Sequence, residues 1–352
     1  VPALKRGLTA ATMVVATGTL LPVLLIPGLA RADDTLDGDT QNPPPTGPKG
    51  DVDGDTISAG AGAVVFERSK NGSGESAGPI ASTTSTWKPP ACYYAPKYSP
   101  AQLQEHLESI WAVDSTGYEW DAKQRDHYVE GNPYTDFNKD KAGKGYWWSS
   151  YVSEGRGGEP GALDCDADTF WVDTGAPPPA DIPEAITPEM LAQLAYAEIL
   201  VPSTKVTLAP EGTTKVNLPT WAWLDAAEFK PVSVTASVPV LGVEATTVAE
   251  PVSLKIEPGT ADATTYPASG VCTINGDNSI GEAYAAGKSD ETPPCGVKYL
   301  RSSGDDSYKL RATITWKIHW TGTGVNEPVD LPDGEFGAEQ DVVVQEIQAV
   351  NR

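Results

Sequence analysis

Histidine is almost absent from this chain, with three among 352 residues. His106, His127 and His319 form neither HExxH nor HxH, so a hydrolytic zinc site lacks its usual ligands. Two of the three sit on expected helices with acids nearby, and His319 on the polar side of an expected strand; surface placement accounts for all of them. No G-x-S-x-G elbow is present, since Gly72-Ser73-Gly74 lacks the spacing that puts a serine on a strand–helix turn. Basic residues are also few: 25 Lys and Arg face 48 Asp and Glu, a formal net charge of −23. Such a surplus repels nucleic acid and anionic lipid, so neither is an expected partner. Cysteine occurs four times and never as CxxC, which disfavours a zinc ribbon and thioredoxin-like redox chemistry.

What is present begins with an export signal. Lys5 and Arg6 precede the uncharged stretch from Gly7 to Leu29, Pro27-Gly28 breaks any helix, and Ala30-Arg31-Ala32 forms an A-x-A cleavage site. Residues 1–32 therefore read as a secretory signal peptide. The alternative is an uncleaved anchor holding the protein on the outer face of the cytoplasmic membrane, because the stretch is long enough to span a bilayer. Cleavage would remove three bases and no acids, taking the net charge from −23 to −26. No insertion into the membrane is expected after cleavage.

Four cysteines in an exported chain favour two disulfides, and four allow three pairings. The sequence-neighbour pairing, Cys92–Cys165 and Cys272–Cys295, keeps each bridge within one expected domain and is the one adopted. On the chain-entropy estimate the bridges contribute about 4.5 and 3.5 kcal/mol.

Composition divides the rest. Residues 33–86 are rich in Asp, Gly, Pro and Ser and read as a disordered acidic tether, with Ala63-Val64-Val65-Phe66 as a short strand within it. Residues 87–179 hold six of the ten Trp residues and read as a small aromatic-rich α+β module closed by Cys92–Cys165. Within it Ser99-Pro100-Ala101-Gln102 supplies a capping box and Pro at the first helical position, predicting a helix over 100–112; a second is expected over 119–130. Residues 180–203 form a connecting helix opened by Thr187-Pro188-Glu189. Over 204–352 the period becomes two. Leu310, Ala312, Ile314, Trp316, Ile318 and Trp320 share one face of a strand; Val232, Val234, Ala236, Val238 and Val240 another; Val252, Leu254 and Ile256 a third. With 205–209, 214–218, 243–249 and 341–349 these predict a C-terminal antiparallel β-sandwich. The fold class is α+β.

Candidate sites are few. Asp51, Asp53 and Asp55 imitate the start of a calcium loop, but Thr56 and Gly62 stand where Gly and Glu are required. Asp164, Asp166, Asp168 and Asp173 are either calcium ligands or the exposed positions of a loop in an acidic protein; no cofactor is otherwise implied. Glu119 and Asp121 offer a carboxylate pair of the kind glycoside hydrolysis uses. The aromatic run Tyr146, Trp147, Trp148 and Tyr151 offers ring faces that could contact a ligand such as a sugar, or simply pack in a small core.

The succession LPTWAWL, PVSVTASV, EPVSLKIEPG, PCGVKYLRSS and ATITWKIHW, with PPACYYAPKYSPAQL upstream, resembles an uncharacterised family of secreted actinobacterial proteins. Their C-terminal half is PKD-like, an immunoglobulin-type sandwich. Cys295 and Tyr299 match that family's Cys-x-His-x-Tyr strand start, although Val297 stands at the His position. The expectation is a secreted, non-enzymatic cell-surface protein, accessory to an envelope-associated machine, whose partner is a cell-envelope protein or polysaccharide. The alternatives are a carbohydrate-binding protein and a secreted cell-wall hydrolase.

Overall fold

The computed structural model describes residues 63–73, 77–113, 117–225 and 229–347. The signal segment 1–32, the acidic stretch 33–62 and the Asp51–Asp55 candidate lie outside the described residues. Among the described residues no helix is long and apolar enough to cross a membrane.

The described residues open with three short strands, β1 (Val65–Glu67), β2 (Gly78–Pro79) and β3 (Ala81–Ser82). Then come β4 (Cys92–Tyr98), α1 (Pro100–Ala112), α2 (Tyr118–Tyr128), β5 (Gly145–Val152) and β6 (Phe170–Asp173). Helix α3 (Pro188–Ala197) and β7 (Leu200–Val201) lead into the C-terminal strands. These are β8 (Thr207–Ala209), β9 (Thr213–Lys215), β10 (Pro219–Leu224), β11 (Val232–Val238), β12 (Val243–Glu257), β13 (Ala263–Tyr266), β14 (Val271–Thr273), β15 (Ile280–Gly281), β16 (Gly296–Tyr299), β17 (Tyr308–Gly322) and β18 (Val325–Gln345). The fold is thus β-rich, almost wholly antiparallel, with few helices.

The largest sheet runs β1-β11-β12-β17-β18-β3, with β14 beside β12 and β9 parallel to β18. A second sheet runs β13-β16-β10-β15, with β8 also on β10, and a third is β4-β5-β6. Alternation dictates the inner face of β17: Leu310, Ala312, Ile314, Trp316, Ile318 and Trp320 are all buried, as a period of two requires. Burying each large side chain contributes about 1.5–3 kcal/mol. The outer row, with Arg311 and Lys317, meets solvent.

Two residues depart from the expected alternation: Val240 lies past the end of β11, in the 3-10 turn Pro239–Leu241, and Val252 faces outward. Ala245, Thr247 and Ala249 point inward, and so do Leu254 and Ile256, yet Val252 is 41% exposed. The register against β17 shifts between Pro251 and Ser253. Proline has no N–H to give the ladder, and the extra residue of the bulge turns Val252 out while restoring the inward phase downstream. The two expected strands 243–249 and 252–256 are therefore a single strand.

Segment 63–86 is not the tether that its composition predicts. Val65, Phe66 and Glu67 pair with Ser237, Ala236 and Thr235, and Ala81 and Ser82 pair with Glu335 and Gly334. Asn71 supplies the local reason: it accepts from Leu200 N and donates to the Glu198 carbonyl, holding the Gly-rich turn against the end of α3. Gly72 is required there, because a Cβ would lie 2.2 Å from the Leu200 carbonyl oxygen.

α1 has the boundaries and capping box that Ser99 and Gln102 predict: Ser99 Oγ accepts from Gln102 N, and Gln102 Oε1 accepts from Ser99 N at 2.8 Å. Its buried Leu103, Leu107 and Trp111 join Tyr128, Phe137 and Trp147 in a small core of their own. The other face of β4-β5-β6, carrying Tyr94, Trp148 and Phe170, belongs to one large core that continues through α3 into the C-terminal sheets. Thr247 donates to the Ala192 carbonyl at 2.7 Å and fastens α3 to the inner face of β12.

Both disulfides form with the adopted pairing, Cys92–Cys165 and Cys272–Cys295. The second joins layers, because Cys272 lies on β14 beside β12 of the largest sheet, whereas the Cys295 carbonyl accepts from Ala222 of β10 in the second sheet.

Candidate functional site

The aromatic run does not make an exposed platform. Trp147 is fully buried and Trp148 is 2% exposed. Consecutive side chains on a strand point to opposite faces, and β5 is the middle strand of a sheet covered on both sides. Trp147 goes under the helices, donating to the Phe137 carbonyl at 3.0 Å and meeting Tyr128, Tyr134 and Trp171 edge-on. Trp148 faces the large core against Phe170. Tyr146 is half-buried against that core. Tyr151 stacks on Tyr93, donates to the Pro96 carbonyl and carries Lys97 over its ring. Of the two readings of this run, ligand contact or packing in a small core, Trp147 and Trp148 take the second.

The acidic candidates also disperse. Asp173 accepts from Trp171 Nε1 at 2.7 Å, Asp168 acts on His127 and Tyr128, and Asp164 and Asp166 are exposed. Among the described residues no group of three or more His, Cys, Asp or Glu is placed to hold a metal ion. Glu119 and Asp121 stand two apart in the first turn of α2, so they point to different sides of the helix. His106 stacks on Tyr98 and His319 lies on the outer row of β17.

His127 sits edge-on to Tyr128 and Tyr134. Burial holds its pKa below the ordinary value, opposed by the Asp168 charge and assisted by Lys123. The unfolded chain therefore takes up this proton first as the pH falls. The stability linked to His127 is complete above the unfolded value of about 6.5 and is lost as pH falls through the folded value. Between about pH 7 and pH 5, denaturant titrations should show the wild type losing more stability than His127→Gln; parallel pH profiles would refute this.

The concavity best equipped for a ligand lies elsewhere. The loop after β3, the loop after β5 and the C-terminal end of α3 enclose a cleft of about 400 Å3. Trp87, Lys88, Glu154, Arg156, Tyr196 and Glu198 line it. Trp87 is half-buried and meets Tyr196 edge to face, ring centres 4.8 Å apart. Tyr196 is 2% exposed and its hydroxyl has no hydrogen-bond partner of good geometry. Burial pushes its pKa up to about 12, against the nearby Ser82 hydroxyl, so it keeps its proton at any physiological pH.

The acids of this cleft are neutralised in place. Arg68 donates to Glu154 at 2.8 Å and to Glu198 at 2.7 Å, clamping the loop after β5 to the end of α3. Burial works against the Arg68 charge, but its hydrogen bonds and attraction to Glu198 and Glu154 outweigh it and raise its pKa. Arg156 pairs with Glu159 at 2.7 Å, while its Nε is buried without a partner. Pairs this close to solvent add little stability individually. Their effect is to fix donors and acceptors in position.

These groups come from segments up to about 130 residues apart, as the Arg68–Glu198 contact shows. Nothing in their local sequence marks them; only Trp87, an aromatic beside Pro89-Pro90 at the start of the Trp-rich region, gives any signal.

A second cleft of about 510 Å3 lies among Trp223, Asp225, Asn275, Asp277 and Glu282. Two of its acids are engaged locally: Asp277 accepts from Ser279, which holds its pKa down, and Glu282 pairs with Lys288.

Comparison of the chain with protein-family models, with curated proteins and with solved structures finds no match.

Proposed function

We propose that this is an extracellular, non-enzymatic protein that acts by binding at the cell surface, as an accessory to an envelope-associated machine. The observation that carries the reading is that all four cysteines are joined in two bridges, the state expected of an oxidising exterior. The basic, uncharged and A-x-A features of residues 1–32 support export to that compartment. The C-terminal half is proposed to be an immunoglobulin-type, PKD-like sandwich of the secreted actinobacterial kind; the bridge between its two antiparallel sheets supports this. Fold alone assigns no activity, so the binding role rests on the cleft beside Trp87, whose acids are paired.

Fractionation of producing cells, with thiol counting on the denatured protein, tests the location. The protein should be found outside the cytoplasmic membrane with no free thiol. Recovery in the cytoplasm with four thiols would refute export. Purified protein incubated with wall material should sediment with it and release nothing soluble, whereas released fragments would make it a hydrolase.

A further inference from the structure

We propose that the cleft between Trp87 and Tyr196 is a saccharide site that takes a neutral pyranose ring. The inference rests on the reading of the chain as an extracellular binding protein and names the chemistry of its ligand. Three features of the cleft converge on that class.

First, the volume of about 400 Å3 lies in the range of small-ligand clefts, roughly 300–1,000 Å3. Second, Trp87 is only half-buried and lines the cleft, so it offers an indole surface to the apolar C–H face of a sugar ring. Third, the acids of the cleft are already paired, Glu154 and Glu198 with Arg68 and Glu159 with Arg156. They present fixed acceptors and donors that hydroxyls can use without bringing a charge.

The competing ligand classes fit less well. A phosphate or nucleotide would meet three carboxylates, with both arginines already engaged. A divalent cation needs several free carboxylate oxygens converging, and no such group occurs among the described residues. A purely apolar ligand would strip water from Lys88 and Arg156 with nothing in exchange. A polyhydroxylated ring with one apolar face uses both kinds of surface.

The test is titration of the full chain with N-acetylglucosamine, glucose and cellobiose, followed by tryptophan fluorescence and calorimetry. At least one should saturate. Trp87→Ala should weaken that binding by about tenfold or more, the size of a lost aromatic contact. Because Trp87 packs on Tyr196, a second variant guards against a folding defect. Trp87→Phe keeps an aromatic ring against Tyr196 and should weaken binding only a few-fold, at a thermal midpoint close to the parent's. No saturation by any of the three sugars, or saturation that neither variant alters, overturns the saccharide site. That result leaves the extracellular reading standing, since location and thiol state are measured separately.

Discussion

Trp147→Ala is expected to destabilise the protein by about 3–5 kcal/mol, the cost of emptying a fully buried aromatic site. Trp147 has no exposed surface, and its indole N–H satisfies the Phe137 carbonyl. The substitution removes the ring about which Tyr128, Tyr134 and Trp171 are arranged, and it leaves that carbonyl unpaired. Urea denaturation monitored by circular dichroism measures the loss directly. If Trp147 were a surface contact, its removal would change stability by no more than about 0.5 kcal/mol. That outcome would refute the packing role assigned to it.

Removing the Cys92–Cys165 bridge is the second large effect. The two residues are separated by 73 positions, against 23 for Cys272–Cys295. Loop-closure entropy in the unfolded chain grows with the logarithm of that length, so the bridges stabilise by about 4.5 and 3.5 kcal/mol respectively. Cys92→Ala with Cys165→Ala should therefore cost more than the other double substitution. Alanine leaves no unpaired polar group at these buried positions. The denaturant midpoints of the two double variants, compared with the oxidised parent, decide it. A loss below about 1 kcal/mol for the longer loop would show that the bridge constrains little in the unfolded chain.

Local signals account for the parts of the fold that could be read in advance. The capping box at Ser99 and Gln102 set the first helix to the residue, and Thr187 capped α3 at Met190 N. The strict alternation from Leu310 to Trp320 predicted which side chains of β17 are buried, because a period of two admits one inward face. The cysteine pairing followed from keeping each bridge local. Failures occur where a partner lies far along the chain. Val252 faces solvent because a bulge at Pro251 interrupts the ladder to β17, and no pattern within β12 announces it. Adjacent tryptophans left exposure and packing both open, and the choice follows from β5 being an inner strand with each ring on a different face. The Gly-rich stretch before Trp87 reads as unstructured by composition, yet Phe66 and Ala81 pair with residues well over a hundred positions away. The cleft shares this property, since Arg68, Trp87, Glu154 and Tyr196 have no common sequence neighbourhood.

The pairing of β3 with β18 has a consequence for when the protein becomes competent. Ala81 and Ser82, on one wall of the cleft, hang on Glu335 and Gly334, and Thr83 N reaches the Asp333 carbonyl 250 residues downstream. Contacts of such separation form late, because the long intervening loop must close before they contribute. A chain emerging N-terminus first holds this wall of the cleft before the strand that supports it exists. Assembly of the cleft then waits on β18, and copies truncated before Asp333 lack the support for Ala81, Ser82 and Thr83.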